Sequence, residues 1–347
     1  MEFSGSSAID FDRYPIDKRS SQEYADFLLE ARRNLAEAGI LKLPNFVPAA
    51  ALHAIQRECT GLACSLKVER NQLGRRTNCY YMPGDTALPD YHPQNTFFDR
   101  PFGVLRDDML GPSPVSTIRR VYDDPHLVAF VADILEVGTL FQSRDAYQAL
   151  TVNVMGEGDN LHWHFDCNAC AVTIGIQAPE SGGEFEYAPC IGRENHSAIQ
   201  HVMSSRRSPC HLGDAVPPEH AEYVPTHLCA PGEGRQRGHR ARGTGHALGG
   251  FSSCAYRPFC TPFSPSLFCI FAGTLTFFRG GASLHRVKPV HGSRLRLVAA
   301  LQFHTSDDSF DPPAISQLIY GVQPADHLGP KLRVVGFPSS SGQLLSA

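Results

Sequence analysis

The stretch Leu161-His-Trp-His-Phe-Asp166 limits this chain more than any other. Side chains on a strand alternate between faces, so His164 and Asp166 project to one side while Phe165 enters the core on the other. A histidine and a carboxylate two residues apart can therefore grip one metal ion. His162 shares their face at the same period. Around them, residues 149–154, 162–165, 171–177 and 184–187 read as short strands bounded by Gly and Pro. That pattern predicts a barrel or a sandwich.

The pair lacks one partner, a second histidine. Two histidines and one carboxylate form the facial triad that holds Fe(II) and leaves three positions open. The expected partner is His285, in the run from Thr274 to Arg296. The His-x-Asp spacing selects His164 over His162 as the first ligand, which leaves His162 to hydrogen-bond behind a ligand or to wall the pocket.

The order His164-x-Asp166, then Gly182-Gly183-Glu184-Phe185, then Gly273-x-Leu275-x-x-Phe278, then His285 with Arg294 nine residues on, resembles the Fe(II)/2-oxoglutarate-dependent dioxygenases. The likeness runs from about Tyr24 to Tyr320 and is closest to stand-alone amino-acid hydroxylases and their radical-halogenase relatives. It implies a mainly β chain with flanking helices, folded as a double-stranded β-helix, the jelly-roll barrel whose mouth holds the iron. It also implies Fe(II), 2-oxoglutarate and dioxygen as cofactor and co-substrates, with ascorbate helpful. The reaction implied is hydroxylation of an unactivated C–H bond in a small molecule, an amino acid or derivative, with release of succinate and carbon dioxide. In that scheme His164, Asp166 and His285 are both metal ligands and the catalytic set. Arg294 pairs with the distal carboxylate of 2-oxoglutarate, a planar two-pronged fit that Lys does not reproduce. Arg296, two residues on, is the reserve, and Asn153 and Thr173 face the mouth. Halogenase relatives lack the carboxylate that Asp166 supplies, so hydroxylation is expected. A protein side chain is the alternative substrate, and a non-catalytic barrel the third reading. A small substrate needs a carboxylate-binding Arg, for which Arg119 or Arg120 would serve.

A chain of 347 residues with 42% hydrophobic content can bury one large core. The expected organisation is a flexible leader over 1–20, a single domain over 21–320 and a C-terminal extension over 321–347. A net charge of −4 argues against general affinity for nucleic acid or anionic membrane. No apolar run reaches the roughly 18 residues that cross a bilayer, and the start lacks a secretory pattern. A cytoplasmic protein is expected. Eleven cysteines, odd in number and irregularly spaced, read as reduced thiols. Cys167 and Cys170 are expected at the pocket edge or buried.

Helical spacing of Tyr24, Phe27, Leu28, Ala31 and Leu35 predicts a helix over 21–38 that Gly39 ends. A strand follows over 40–46, then a helix opened by Pro48. Residues 70–115 are loop-rich, with Tyr80, Tyr81, Tyr91 and Phe98 as pocket candidates, and 116–136 read as helical. The span 205–268 contains no Lys, little periodicity, and Cys210, Cys229, Cys254 and Cys260 without zinc-module spacing. The distance from Asp166 to His285 exceeds the roughly 50 residues that a barrel needs there by about the length of this span. Its end is rich in residues with pyrimidine-rich codons. It reads as a disordered insertion or a retained intron.

Overall fold

A computed structural model describes residues 7–65, 76–99, 102–113, 115–145, 147–168, 170–188, 191–204, 266–268 (backbone only) and 270–306. Helix α1 (Gln22–Ala38) starts where Ser21 accepts the Tyr24 amide and stops where Gly39, at φ 71°, sends its N–H back to the Leu35 carbonyl. A left-handed residue at that position favours glycine. Tyr24, Ala31 and Leu35 are its buried stripe. Arg19 pairs with the buried Asp133 at 2.7 Å, and the Tyr24 hydroxyl bonds the same carboxylate. Strand β1 (Ile40–Leu43) and helix α2 (Ala49–Ser65) follow, the helix beginning one residue after Pro48. The helical reading of 116–136 resolves into α3 (Thr117–Tyr122) and α4 (Pro125–Ile134). The break is local: Asp124 caps the second helix through the His126 amide, and Pro125 cannot continue the first.

The longer strands that follow are β2 (Gly103–Leu105), β3 (Leu150–Met155), β4 (Leu161–His164), β5 (Ala171–Gln177), β6 (Phe185–Ala188), β7 (Ser266–Phe268), β8 (Leu275–Phe278), β9 (Leu284–Val287) and β10 (Arg296–Leu301). Helix α5 (His196–Ser204) lies between β6 and β7. Among the described residues the two larger sheets have the orders β1-β8-β5-β10-β3-β2 and β7-β6-β9-β4, and six two-residue strands pair as three short ribbons beside them. From β3 onward the chain steps from one sheet to the other at nearly every connection, and all the pairs are antiparallel. The chain is mainly β with flanking helices, as the sequence predicts.

Alternation along the six-stranded sheet divides its two faces. Val172, Ile174 and Ile176 on β5, Leu275 and Phe277 on β8, and Leu297, Ala299 and Leu301 on β10 join one apolar cluster with Ala31, Ile55, Ile118 and Phe130 from the helices. This burial of branched and aromatic side chains is the main favourable term holding the helices to the sheet. The opposite face carries a polar row among Phe278, Met155 and Val298. Thr276 on β8 sits beside Thr173 on β5, Thr173 beside Ala300 on β10, and Ala300 beside Thr151 on β3. That row, with Asn153, looks into a cavity closed on the far side by residues of the four-stranded sheet.

Much of the 205–268 span lies outside the described residues, with Cys210, Cys229, Cys254 and Cys260, as do the leader's first six residues and everything after Ser306. Two boundaries are corrected. The expected flexible leader is packed from residue 7 on, with Ala8, Ile9, Tyr14 and Ile16 buried in the main apolar cluster. Ser266–Phe268 is not surplus, because it pairs with β6 in the register Phe185 to Phe268.

Candidate metal centre

His164 ends β4, and His285 is its direct partner across the β4–β9 pair. Their rings stand 4.0 Å apart between centroids. Asp166 lies just beyond the strand, where its own amide donates to the Gly280 carbonyl at 3.1 Å. The result brings all three groups together. Nε2 of His164 is 3.5 Å and Nε2 of His285 3.4 Å from the same oxygen, Oδ1 of Asp166. One atom of each residue falls within 4.8 Å of the others, and this is the only such metal-sized cluster among the described residues.

The backbone settles which ring nitrogen is available. Nδ1 of His164 is 2.7 Å from the His162 carbonyl, and Nδ1 of His285 is 2.9 Å from the Ser283 carbonyl. A carbonyl only accepts, so each Nδ1 carries the proton and each Nε2 keeps its lone pair towards Asp166. Burial, then the neighbouring His285, hold His164 down to about 4, so it stays neutral at ordinary pH. Burial pushes the Asp166 carboxyl up, but the adjacent His285 and His164 outweigh it and hold it below the usual range. Two imidazole Nε2 atoms and a carboxylate oxygen are a donor set that fits a divalent transition metal. His162 acts through its carbonyl. Its ring stacks on Phe98 at 4.4 Å and is not part of the cavity wall.

Two further residues support Asp166, and neither is visible from local spacing. Arg193 donates from Nη2 to the Asp166 carbonyl at 2.6 Å and from Nε to the Gly281 carbonyl at 3.2 Å. Its guanidinium also lies over Phe165, 5.4 Å from the ring centroid, and Phe165 stacks on Tyr80. Gly280 is required by space, since a Cβ there would sit 1.8 Å from Oδ2 of Asp166.

The cavity of about 200 Å³ contains the triad together with Asn153, Thr173 and Arg296. Arg296 is 4% exposed and donates from Nε to the Gly183 carbonyl at 2.9 Å. Gly183, at φ 66°, meets it closely: a Cβ there would lie 2.8 Å from Cδ of Arg296. Arg294 is elsewhere. Its side chain is exposed and donates to the Pro179 carbonyl at 2.8 Å, outside the cavity lining. The expected shared face fails for a plain reason. β10 begins at Arg296, so Arg294 still belongs to the turn before it, where period-two alternation does not apply.

Thr276 adds an observation that spacing does not offer: its hydroxyl lines the cavity, is buried and has no hydrogen-bond partner. Of the four aromatic candidates only Tyr81 lines the cavity. It does so at φ 54°, a conformation unusual for tyrosine, edge-on to His164. Tyr80 packs on Phe165, Phe98 on His162, and Tyr91 is 67% exposed. Cys167 lies at the cavity edge as expected, and burial pushes the Cys170 thiol up to about 12. Arg119 is not at the cavity. It is buried in an ion pair with Asp107 at 2.7 Å, and Arg120 is not a lining residue either.

No family profile matches the sequence, and no curated protein matches it. Solved structures with a similar course include α-ketoglutarate-dependent enzymes and prolyl hydroxylases. The non-heme α-ketoglutarate-dependent epimerase SnoN from nogalamycin biosynthesis is 12% identical, with a TM-score of 0.44, over 92% of this chain and 100% of its own. The α-ketoglutarate-dependent carbocyclase SnoK is 11% identical, with a TM-score of 0.44, over 87% and 93%. A Pseudomonas putida prolyl-4-hydroxylase is 11% identical, with a TM-score of 0.41, over 79% and 96%.

Proposed function

We propose that this chain is an Fe(II)- and 2-oxoglutarate-dependent oxygenase that hydroxylates a C–H bond of a small molecule, an amino-acid derivative being the class in view. One observation carries the reading. Two Nδ1-protonated histidines aim their Nε2 atoms at one carboxylate oxygen, in a cavity that also holds a buried arginine. The strand order supports a double-stranded β-helix, because successive strands alternate between two antiparallel sheets that face each other across the cavity.

His164, Asp166 and His285 would hold iron on one side and leave the other open to the cavity. When bound, iron with 2-oxoglutarate and dioxygen supplies the oxidising power that removes a substrate hydrogen. The protein's part is geometric. Arg296 is the residue we assign to the distal carboxylate of 2-oxoglutarate, eleven residues after His285, with the buried Thr276 hydroxyl available to a second polar group. Phe185 and Phe278, at 5.3 Å and 4.9 Å from the His285 ring, keep water from its back. The carbonyls of His162 and Ser283 fix the imidazole planes. Such partners orient ligands and their loss typically costs 10 to 100-fold in affinity or activity.

The test is succinate formation from 2-oxoglutarate by the Fe(II)-loaded protein, with mass spectrometry of an incubated metabolite pool for a gain of one oxygen. His285→Ala is expected to abolish turnover. Undiminished succinate from that variant would remove the triad from the mechanism, and chloride-dependent turnover by the unaltered protein would replace hydroxylation with halogenation.

A further inference from the structure

The cavity is unequal along its length. β10 runs beside it from Arg296 to Leu301, and both Arg296 and the next residue past the strand, Gln302, line it. Six residue steps along the chain separate them, roughly 20 Å. Arginine marks one end. The other carries carboxamides: Asn168, two residues past Asp166, donates from Nδ2 to Oε1 of Gln302 at 2.5 Å. Gln148, 6% exposed, lines the same cavity. It adjoins Gln302 because the Gln302 amide donates to the Ala149 carbonyl at 3.0 Å.

We propose that Asn168 and Gln302, with Gln148 beside them, form a subsite for an uncharged amide group of the substrate. The inference rests on the reading of the metal centre above, since it concerns the molecule presented to that centre. Two carboxamides joined by one hydrogen bond spend one carbonyl and one N–H on each other. They leave one carbonyl, Oδ1 of Asn168, and one amide nitrogen, Nε2 of Gln302, to a ligand. If both amides are turned over, the roles exchange and the pattern of one acceptor beside one donor persists. An amide has one N–H and one C=O and satisfies both. A carboxylate only accepts, so it would face the Asn168 carbonyl with nothing to give it, and it would bring a second negative charge towards Asp166. An ammonium only donates. Arg119, which would have favoured a carboxylate, is already committed to Asp107.

The experiment uses full-length protein loaded with Mn(II). 2-Oxoglutarate is titrated first by calorimetry, which reports on the triad and Arg296 alone. Failure there removes the metal-centre reading and the subsite with it. To the loaded protein are then added an N-acetylated amino-acid amide, the matching N-acetylated amino acid and a blocked tripeptide. The amide is expected to bind at least about tenfold tighter than its acid, and the preference to vanish in Gln302→Leu. Gln302→Met, which keeps the length but removes both polar groups without adding a charge, is expected to lose the preference as well, so the test does not hang on one variant folding. Tighter binding of the tripeptide than of the single amide would assign the amide to a peptide backbone, and the reverse to a small molecule. If the acid binds as well as the amide, if the preference survives in both variants, or if 2-oxoglutarate binds while no member of the panel does, the subsite is wrong.

Discussion

Gly280→Ala tests the metal centre by a single methyl group. The added Cβ would lie 1.8 Å from Oδ2, 2.6 Å from Cγ and 3.0 Å from Cβ of Asp166. To move from 1.8 Å to an ordinary contact of 3.4 Å, the carboxylate oxygen must retreat by about 1.6 Å. Metal–ligand distances tolerate about 0.2 Å. The alternative is for the backbone at Gly280 to yield, but its carbonyl accepts the Asp166 amide at 3.1 Å, and the next carbonyl accepts from Arg193 at 3.2 Å. Either response displaces the carboxylate. We expect Mn(II) affinity, measured by electron paramagnetic resonance of the free ion, to fall by at least about 100-fold, the upper end of the range for losing a ligand's support. Overpacking of this kind also costs about 1 to 3 kcal/mol of stability, so affinity is to be read on protein shown to be folded by circular dichroism. Gly61→Ala on α2 is the control: nothing lies within 4 Å of its Cβ, and the helix gains. A double-mutant cycle isolates the contact. In an Asp166→Gly background the clash partner is gone, so Gly280→Ala is expected to cost nothing further in stability. Wild-type Mn(II) affinity in Gly280→Ala would refute the claim that this glycine makes room for a metal-bound carboxylate.

The arginine assignment predicts that Arg296→Ala weakens 2-oxoglutarate binding by about 10² to 4 × 10³-fold, as expected when a buried charge loses its partner at about 3 to 5 kcal/mol, with Arg296→Lys restoring little; Arg294→Ala is expected to bind 2-oxoglutarate normally in calorimetry, and the reverse pattern would reinstate Arg294. Arg193→Ala is expected to lower Mn(II) affinity about 10 to 100-fold with a broadened resonance lineshape, because the Asp166 carbonyl loses its 2.6 Å donor; an unchanged lineshape would make Arg193 a structural residue only. His162→Ala keeps the carbonyl that orients His164, so metal affinity is expected within about tenfold of wild type, and complete loss would make its ring a ligand.

Two members of the triad are legible in the sequence because they lie two residues apart, His164 ending β4 and Asp166 just past it, while His285, on a distant strand, is legible only through the pattern around it. What was missed is non-local. Arg193 reaches Asp166 from beyond β6, and only the folded neighbour shows what a side chain at Gly280 would strike. The Asn168–Gln302 pair joins residues 134 apart in the chain, a contact no window along the sequence contains. Arg294 and Arg296 differ in another way: the spacing was right in kind, but it was counted before the strand had begun. The α3–α4 break was in plain view as Asp123-Asp124-Pro125, an N-cap followed by Pro at the first helical position, and the apolar periodicity on either side masked it.

The end of the 205–268 span shows how composition and fold can point in opposite directions over a few residues. A run of Phe, Cys, Pro, Ser and Leu looks alike whether it is translated from a splice-site tract or selected for a buried strand, since both are apolar and lack charge. Pairing separates the two. Ser266, Leu267 and Phe268 match Tyr187, Glu186 and Phe185 on β6, and β6 in turn places Tyr187 opposite His285. The strand that composition would discard is thus two pairings from a metal ligand. Any excision of this span has to end before Ser266, because an edge strand removed there would leave the β6 backbone groups without partners. Transcript sequencing that found a junction beyond codon 268, in protein that still binds metal, would show that β6 does without it.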